Sequence, residues 1–383
     1  MTTRMLMFKM LVMLIFSGHL APALAKEVMV GSELAGKCPA RDIPKFRGGT
    51  VRLENDLFVG TDQNYTSGVG VTLVSHDISG KLRAKCLPAP VWLHAQLIQL
   101  LNPGFWADAA EPAVTQNVVA KFGQSMYTPE DYSRSDLIAD DRPYAGLLYV
   151  GLAWNRRRLN EHLDGEVLDT RELTLGIIGP WSLAEQSQKV VHDAIGSNRF
   201  LGWEHQLRNE PALQVALDRK YKEFRGTGAI LPGFNSEVIR SVGVRIGNIE
   251  TSATMGIEGR LGWNLPNDFG SYPIRPGAEN RPPSVATRLG RSAKAALYGV
   301  HFFGILEAKA IAWDFSLDGN LFATSHSVKR RPWVAQAVIG LSMQGTAAGH
   351  GYRLAVMRVH RTKEFEEQGV GQTYGSISLS VEF

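Results

Sequence analysis

The sequence predicts an all-β fold, a transmembrane antiparallel β-barrel of about 12 strands with a short helix inserted between two of them. Three observations carry that prediction. Segments of about ten residues recur with alternating apolar and polar side chains, the length and period of a strand tilted across a bilayer. The chain opens with an export signal, and no later stretch reaches about 18 consecutive apolar residues. It also ends on an alternating strand, Tyr374-Gly375-Ser376-Ile377-Ser378-Leu379-Ser380-Val381-Glu382-Phe383, closed by an aromatic residue.

The export signal has a basic start (Arg4, Lys9), a short apolar centre from Met10 to Phe16, and the small-residue end Ala21-Pro22-Ala23-Leu24-Ala25. That order is expected of a secretory signal peptide over 1–25, cleaved after Ala25. Residues 26–47, polar and carrying Pro39 and Pro44, are expected to be an irregular lead-in, leaving 48–383 as the barrel domain. Export without a helical anchor leaves periplasm, outer membrane or secretion, and the closing aromatic strand makes the bacterial outer membrane the expected location. A mean hydropathy of −0.10 is compatible with that location, because only alternate strand residues need face lipid.

The expected strands are 50–59, 66–76, 114–125, 145–156, 171–178, 211–225, 236–248, 252–264, 296–311, 331–343, 351–362 and 374–383. Several show a clear period of two. Leu148, Val150, Leu152 and Trp154 fall on one face, as do Leu173, Leu175 and Ile177, and likewise Val238, Val242, Val244 and Ile246. Trp154, Trp263, Trp313 and Trp333, near strand ends, suit interfacial girdles.

Three connections are long. Residues 77–113 hold an apolar stretch, Val91 to Leu101, expected as a helix on the barrel mouth; 265–293 is rich in Pro, Gly, Asn and Arg and reads as an exposed loop. In 179–210, Ser182 can cap a helix running to Ile195 and stopped by Gly196. Its apolar stripe is Leu183, Val190, Val191, Ala194 and Ile195, with His192 at the stripe's edge beside Gln188 and Glu185.

Lys and Arg number 41 against 37 Asp and Glu, a net charge of +4. The basic residues are scattered, which gives no nucleic-acid footprint. The two cysteines, Cys38 and Cys86, are too few for a tetrahedral zinc site; in an oxidising compartment they are expected to pair as a disulfide.

The densest polar stretch is Glu54-Asn55-Asp56 followed by Asp62 and Tyr65-Thr66. Two paired strands joined there would gather oxygens of the kind a hard cation such as calcium requires. The plainer reading is turn chemistry on a solvated rim. His192 is the strongest single candidate for catalysis, because a neutral imidazole can accept a proton from water near neutral pH; the plainer alternative is an idle surface histidine. Three further stretches are more elaborate than barrel wall needs: Tyr127-Thr128-Pro129, Asp140-Asp141-Arg142-Pro143-Tyr144-Ala145-Gly146, and Gly202-Trp203 with the residues after it. Asp141 and Arg142 are expected to brace the interior as an ion pair.

Taken in order, these motifs resemble the lipid A 3′-O-deacylase family (LpxR-type), from about residue 48 to Phe383 and most specifically between 50 and 210. The resemblance implies a twelve-stranded outer-membrane barrel whose site lies between the wall and an inserted helix. It further implies calcium-dependent (Ca2+) hydrolysis of the ester holding the 3′-linked acyloxyacyl group of lipid A, with lipopolysaccharide as substrate. By position, Asn55, Asp56, Thr66 and His192 match the family's site residues. His192 would be the general base, Asp56 a calcium ligand with oxygen from Thr66 nearby and Glu54 as a further donor, and Asn55 would orient water or the oxyanion. The chain departs from the family pattern at Ala139, where members can carry Lys, and at Asn198, where they can carry an acid. The protein is expected to act as a monomer. The alternative readings are a non-catalytic porin or adhesin, an outer-membrane phospholipase built on Ser325-His326, and a soluble periplasmic β-protein.

Overall fold

Twelve antiparallel strands close on themselves, each bonded to its sequence neighbours and the first bonded to the last. The structure is a computed structural model and describes residues 44–56, 64–78, 86–106, 114–160, 165–225, 233–270 and 298–382. The expected signal segment, Cys38, Asp62 and most of 265–293 lie outside the described residues.

The chain runs β1 (Phe46–Asn55), β2 (Asn64–Ser75), helix α1 (Ala89–Leu101), β3 (Thr115–Thr128), β4 (Ala145–Asn160), β5 (Gly165–Ile178) and helix α2 (Ala184–Ile195). It continues through β6 (Glu210–Arg225), β7 (Phe234–Gly247), β8 (Glu250–Trp263), β9 (Tyr298–Asp314) and the short helix α3 (Phe315–Asp318). The last strands are β10 (Trp333–Ala347), β11 (His350–Arg361) and β12 (Gln372–Glu382). Closure runs from Gly48 opposite Glu382 to Asn55 opposite Gly375.

The period-two pattern decides which side faces which solvent. Val51, Leu53, Val69, Phe122, Val150, Leu175, Leu213, Ile257, Leu306, Ile339 and Leu379 all stand exposed on the outer face. So wide an apolar band is costly in water and is what a hydrocarbon layer selects. The alternate positions point inward; some form apolar clusters such as Phe303, Ile305 and Val338, and many are charged and paired, as buried charges must be. Lys121 meets Glu172 at 2.7 Å, Arg157 and Lys222 share Glu166 at 2.6 and 2.8 Å, and Arg260 meets Glu237 and Glu258, both at 2.8 Å. The lumen of the described barrel is therefore packed with side chains.

The expected strand positions hold, with shifted ends. β1 starts and stops about four residues early, Asp56 leaving the ladder in a single 3-10 residue. β5 begins at Gly165 instead of 171; its extra residues include Glu166 and Asp169, polar on both faces and so invisible to an apolar period. Helix α1 does not lie across the mouth. Its buried Val91, Ala95 and Ile98 form one cluster with Val118 and Trp154, which project from the outer face of β3 and β4, so α1 packs against the outer wall. Trp154 is thereby buried and Trp313 half-buried, its Nε1 donating to the Asn248 carbonyl at 2.9 Å, whereas Trp263 and Trp333 stay exposed as girdle residues should. Cys86 is disulfide-bonded.

Candidate active site

A single hydrogen-bonded row assembles the site's wall. Asn55 lies opposite Ser67, Ser67 opposite Met126, and Met126 opposite Gly146. Each is two, four or six residues from an exposed apolar neighbour of its own strand, so all four belong to the outer face. Between Tyr65 and Ser67 the register slips, which makes Thr66 the extra residue of a β-bulge, a device that re-aims side chains beside active sites. The Thr66 side chain lies outside the described residues.

Helix α2 sits on this row. Gly146 supplies the room: a Cβ there would overlap Ser182 Oγ and Ala184 Cβ. Gln124 Nε2 donates to the Ser182 carbonyl at 2.6 Å. Met126, Tyr144, Ala184, Phe200 and Trp203 then close into one buried cluster over the wall. Ser182 is not the cap expected of it; it ends the 3-10 turn Pro180–Ser182, and Leu183 takes the N-cap position in the left-handed region without a side-chain bond.

The helix faces the opposite way from its apolar stripe. Ala184, Gln188 and His192, spaced by four residues, are the buried face, while Leu183, Val190 and Val191 are exposed, together with Trp181 and Leu201 nearby. In water that arrangement would be inverted. Beside a lipid-facing wall it presents an apolar surface to acyl chains.

His192 is 3 % exposed. Its Nδ1 lies 2.5 Å from the Asn198 carbonyl oxygen. A carbonyl only accepts, so Nδ1 carries the proton of the neutral ring and Nε2 is the basic nitrogen. Phe200 packs edge-on against the imidazole, centroids 5.2 Å apart, and itself stacks on Tyr132 at 4.8 Å. The tautomer is therefore set by the Asn198 main chain and not by Gln188 or Glu185, its polar neighbours on the helix. Gln188 Oε1 instead accepts from Trp203 Nε1 at 2.7 Å, and Glu185 pairs with Lys189. Asn198, a departure from the family pattern in its side chain, serves through its backbone, while its Nδ2 donates to Tyr132 Oη at 3.2 Å.

Of the early residues, Asp56 is fully buried just past the end of β1, and Asn55 is half-buried on the outer row. Glu54 is separated from Asn55. It faces the lumen, accepting from Tyr65 Oη at 3.1 Å with Arg52 at 4.0 Å; strand alternation puts it on the other side of the wall from Asn55. The donors at this end are oxygens, Asn55 amide and Asp56 carboxylate, a hard set that fits calcium better than a thiophilic metal. Among the described residues, no three His, Cys, Asp or Glu form a metal-sized group.

The Asp141–Arg142 expectation changes partner. Arg142 is fully buried, with Nη2 2.8 Å from Glu364 Oε2 in the β11–β12 connection and its guanidinium over the Tyr127 and Phe365 rings. Asp141 Oδ2 instead accepts the Glu130 amide at 2.6 Å. Burial pushes the Tyr144 phenol up to about 12, so it stays neutral beside the helix. The Ser325-His326 pair forms no dyad: His326 Nε2 contacts the Asp141 carbonyl at 2.7 Å, and Ser325 Oγ accepts from the Asn320 amide.

Comparison with known proteins agrees with this architecture. The family model described as "Outer membrane protein LpxR" matches residues 10–383. The solved structure of LpxR from Salmonella typhimurium is similar over 88% of this chain and 100% of that one, with 17% identity and a TM-score of 0.60. The β-domain of the Bordetella autotransporter BrkA matches over 88% of this chain and 100% of that one at 7% identity and a TM-score of 0.41. A search of curated protein sequences found no match. By the extent of the family match, this chain belongs to the outer-membrane protein LpxR family, the lipid A-modifying enzymes of the bacterial outer membrane.

Proposed function

We propose that the protein is a lipid A 3′-O-deacylase, a hydrolase that cleaves the ester holding the 3′-linked acyloxyacyl group of lipid A. The observation that carries this reading is His192: its Nδ1 proton is fixed by a main-chain carbonyl, on a helix whose buried face meets the outer barrel wall and whose other face is apolar. A lipid substrate reaches such a site from the membrane plane, as a soluble ester does not.

In this reading His192 Nε2 takes a proton from water as the water attacks the ester carbonyl. Asn55 orients that water or donates to the developing oxyanion. Asp56 and Thr66, with Asn55 or Glu54 from either side of the strand end, would hold Ca2+. Calcium, when bound, supplies positive charge where the carbonyl oxygen becomes negative. The leaving alcohol is the sugar 3′-oxygen, which recovers the proton from the imidazolium. We read the protein as acting as a monomer.

The test is mass spectrometry of lipid A from cells expressing wild type, His192→Ala or Asp56→Ala, with and without a calcium chelator. Loss of the 3′ acyloxyacyl mass with wild type alone is the expected result. Unaltered lipid A in wild-type cells would sink the proposal.

A further inference from the structure

A second feature of the outer wall lies away from the helix. Two neighbouring hydrogen-bonded rows cross β4 to β8 there: Trp154, Arg171, Leu217, Val244 and Ala253 in one, and Arg156, Asp169, Arg219, Val242 and Met255 in the other. Their side chains share the face of Val150, Leu175 and Leu213, which is the lipid-facing side. Between the rows runs a groove of about 310 Å³, with Arg171 and Arg219 beside the carboxylates Asp169 and Asp218 at one end and Leu217, Val242, Val244 and Ala253 along the rest.

Guanidiniums facing lipid are costly unless an anion or the headgroup layer meets them. Here one carboxylate serves several. Asp169 accepts from Arg219 at 2.6 and 3.1 Å and lies 3.5 Å from Arg156 and 3.8 Å from Arg158. Arg171 is held in place without a carboxylate, by Asn102 Oδ1 at 3.0 Å, the Thr170 carbonyl at 2.8 Å and the Phe105 ring. Asp218, the other carboxylate of the lining, lies 3.6 Å from Arg245, so Arg171 is the guanidinium of this groove that is held by neutral oxygens. Asn102 and Phe105 belong to the segment after α1, so this end of the groove abuts the rim opposite α2.

We propose that this groove is a binding site for an anionic membrane phospholipid. Its phosphate is received by Arg171 and Arg219, whose planar forks match phosphate oxygens, and one acyl chain lies along Leu217, Val242 and Val244. The aliphatic floor, opening onto the hydrocarbon layer, selects a lipid over free phosphate. This site is separate from the hydrolytic one and does not rest on the deacylase reading.

Native mass spectrometry of the full barrel, purified in detergent with dioleoyl phosphatidylglycerol or dioleoyl phosphatidylcholine, tests it. Wild type is expected to retain phosphatidylglycerol in preference to phosphatidylcholine. The Arg171→Gln/Arg219→Gln variant should retain it roughly tenfold less, the scale of losing one or two charge-assisted hydrogen bonds. Val242→Trp, which blocks the floor and leaves every charge, should also weaken retention, and it carries the test if the double variant fails to fold. Equal retention of the two lipids, or retention unchanged by Val242→Trp, overturns the proposal. Inorganic phosphate displacing the lipid at millimolar concentration would show an ion site without an acyl component, and would overturn it as well.

Discussion

Gly146 and Ser182 meet across the seam between the barrel wall and helix α2, so closely that a Cβ on Gly146 would overlap the Ser182 hydroxyl. The seam fixes where the helix starts, and the helix fixes where His192 stands two turns later. Gly146→Val should push the helix off the wall while leaving the strand ladder in place. The expected outcome is a loss of lipid A deacylation of roughly a hundredfold, the cost of misplacing a base by about 1 Å. Heat-modifiable mobility on gels should still report a folded barrel.

Trp203 and Gln188 lock the middle of the same helix, through the 2.7 Å bond from indole nitrogen to amide oxygen. Gln188→Leu leaves a buried indole N–H without its partner, a penalty of about 1–3 kcal/mol. Because this lock sits on a helix at the rim, the penalty should appear as faster amide exchange over 184–195 and not as a lower melting temperature of the barrel. A change spread over all strands would show that Trp203 braces the wall itself.

The barrel was legible because its signal is repeated in every strand. Period-two alternation reports only that one face is apolar, and in this chain that was enough to find all twelve strands. What alternation cannot report is which neighbour a polar side chain chooses. Arg142 takes Glu364, more than two hundred residues away, over adjacent Asp141. Glu54 and Asn55, adjacent in sequence, are separated by the thickness of the wall. Helix α2 misled for a related reason: an apolar stripe marks the buried face only when the surroundings are water. Here Val190 is 70 % exposed and His192 is 3 % exposed, because the membrane takes the apolar side and the wall takes the polar one. The partner of His192 left no side-chain signal at all, since Asn198 acts through its carbonyl.

Helix α1 should come loose in acid. Burial holds the His94 imidazole down to about 4, with Glu172 opposing weakly; a solvated imidazole titrates near about 6.5. The undocked state therefore binds more protons between those values, so docking is fully stable above about pH 6.5 and weakens as the pH falls towards 4. The difference corresponds to about 3 kcal/mol. Amide exchange over 89–101, corrected for intrinsic rates, should accelerate between pH 7 and 4.5, and His94→Leu should flatten that response.

Arg142 and Glu364 tie the β3–β4 connection to the β11–β12 connection at 2.8 Å, with Arg361 holding the second carboxylate oxygen at 3.0 Å. Burial alone would raise the Glu364 carboxyl, but Arg361 and Arg142 outweigh it and hold it below the usual carboxylate range. Its contribution is thus complete above the unfolded value of about 4.3 and disappears as pH falls through the lower folded one. Arg142→Leu should destabilise the barrel by about 3 kcal/mol, the cost of stripping one partner from a buried pair. Glu364→Gln should cost a similar amount, and the double variant less than the sum, because the Arg142–Glu364 contact can be lost only once. Urea denaturation in detergent at pH 7 measures all three. Strictly additive losses would mean that the two side chains act on the rim separately, and the link between these connections would have to be sought in the Tyr127 and Phe365 rings under the guanidinium instead.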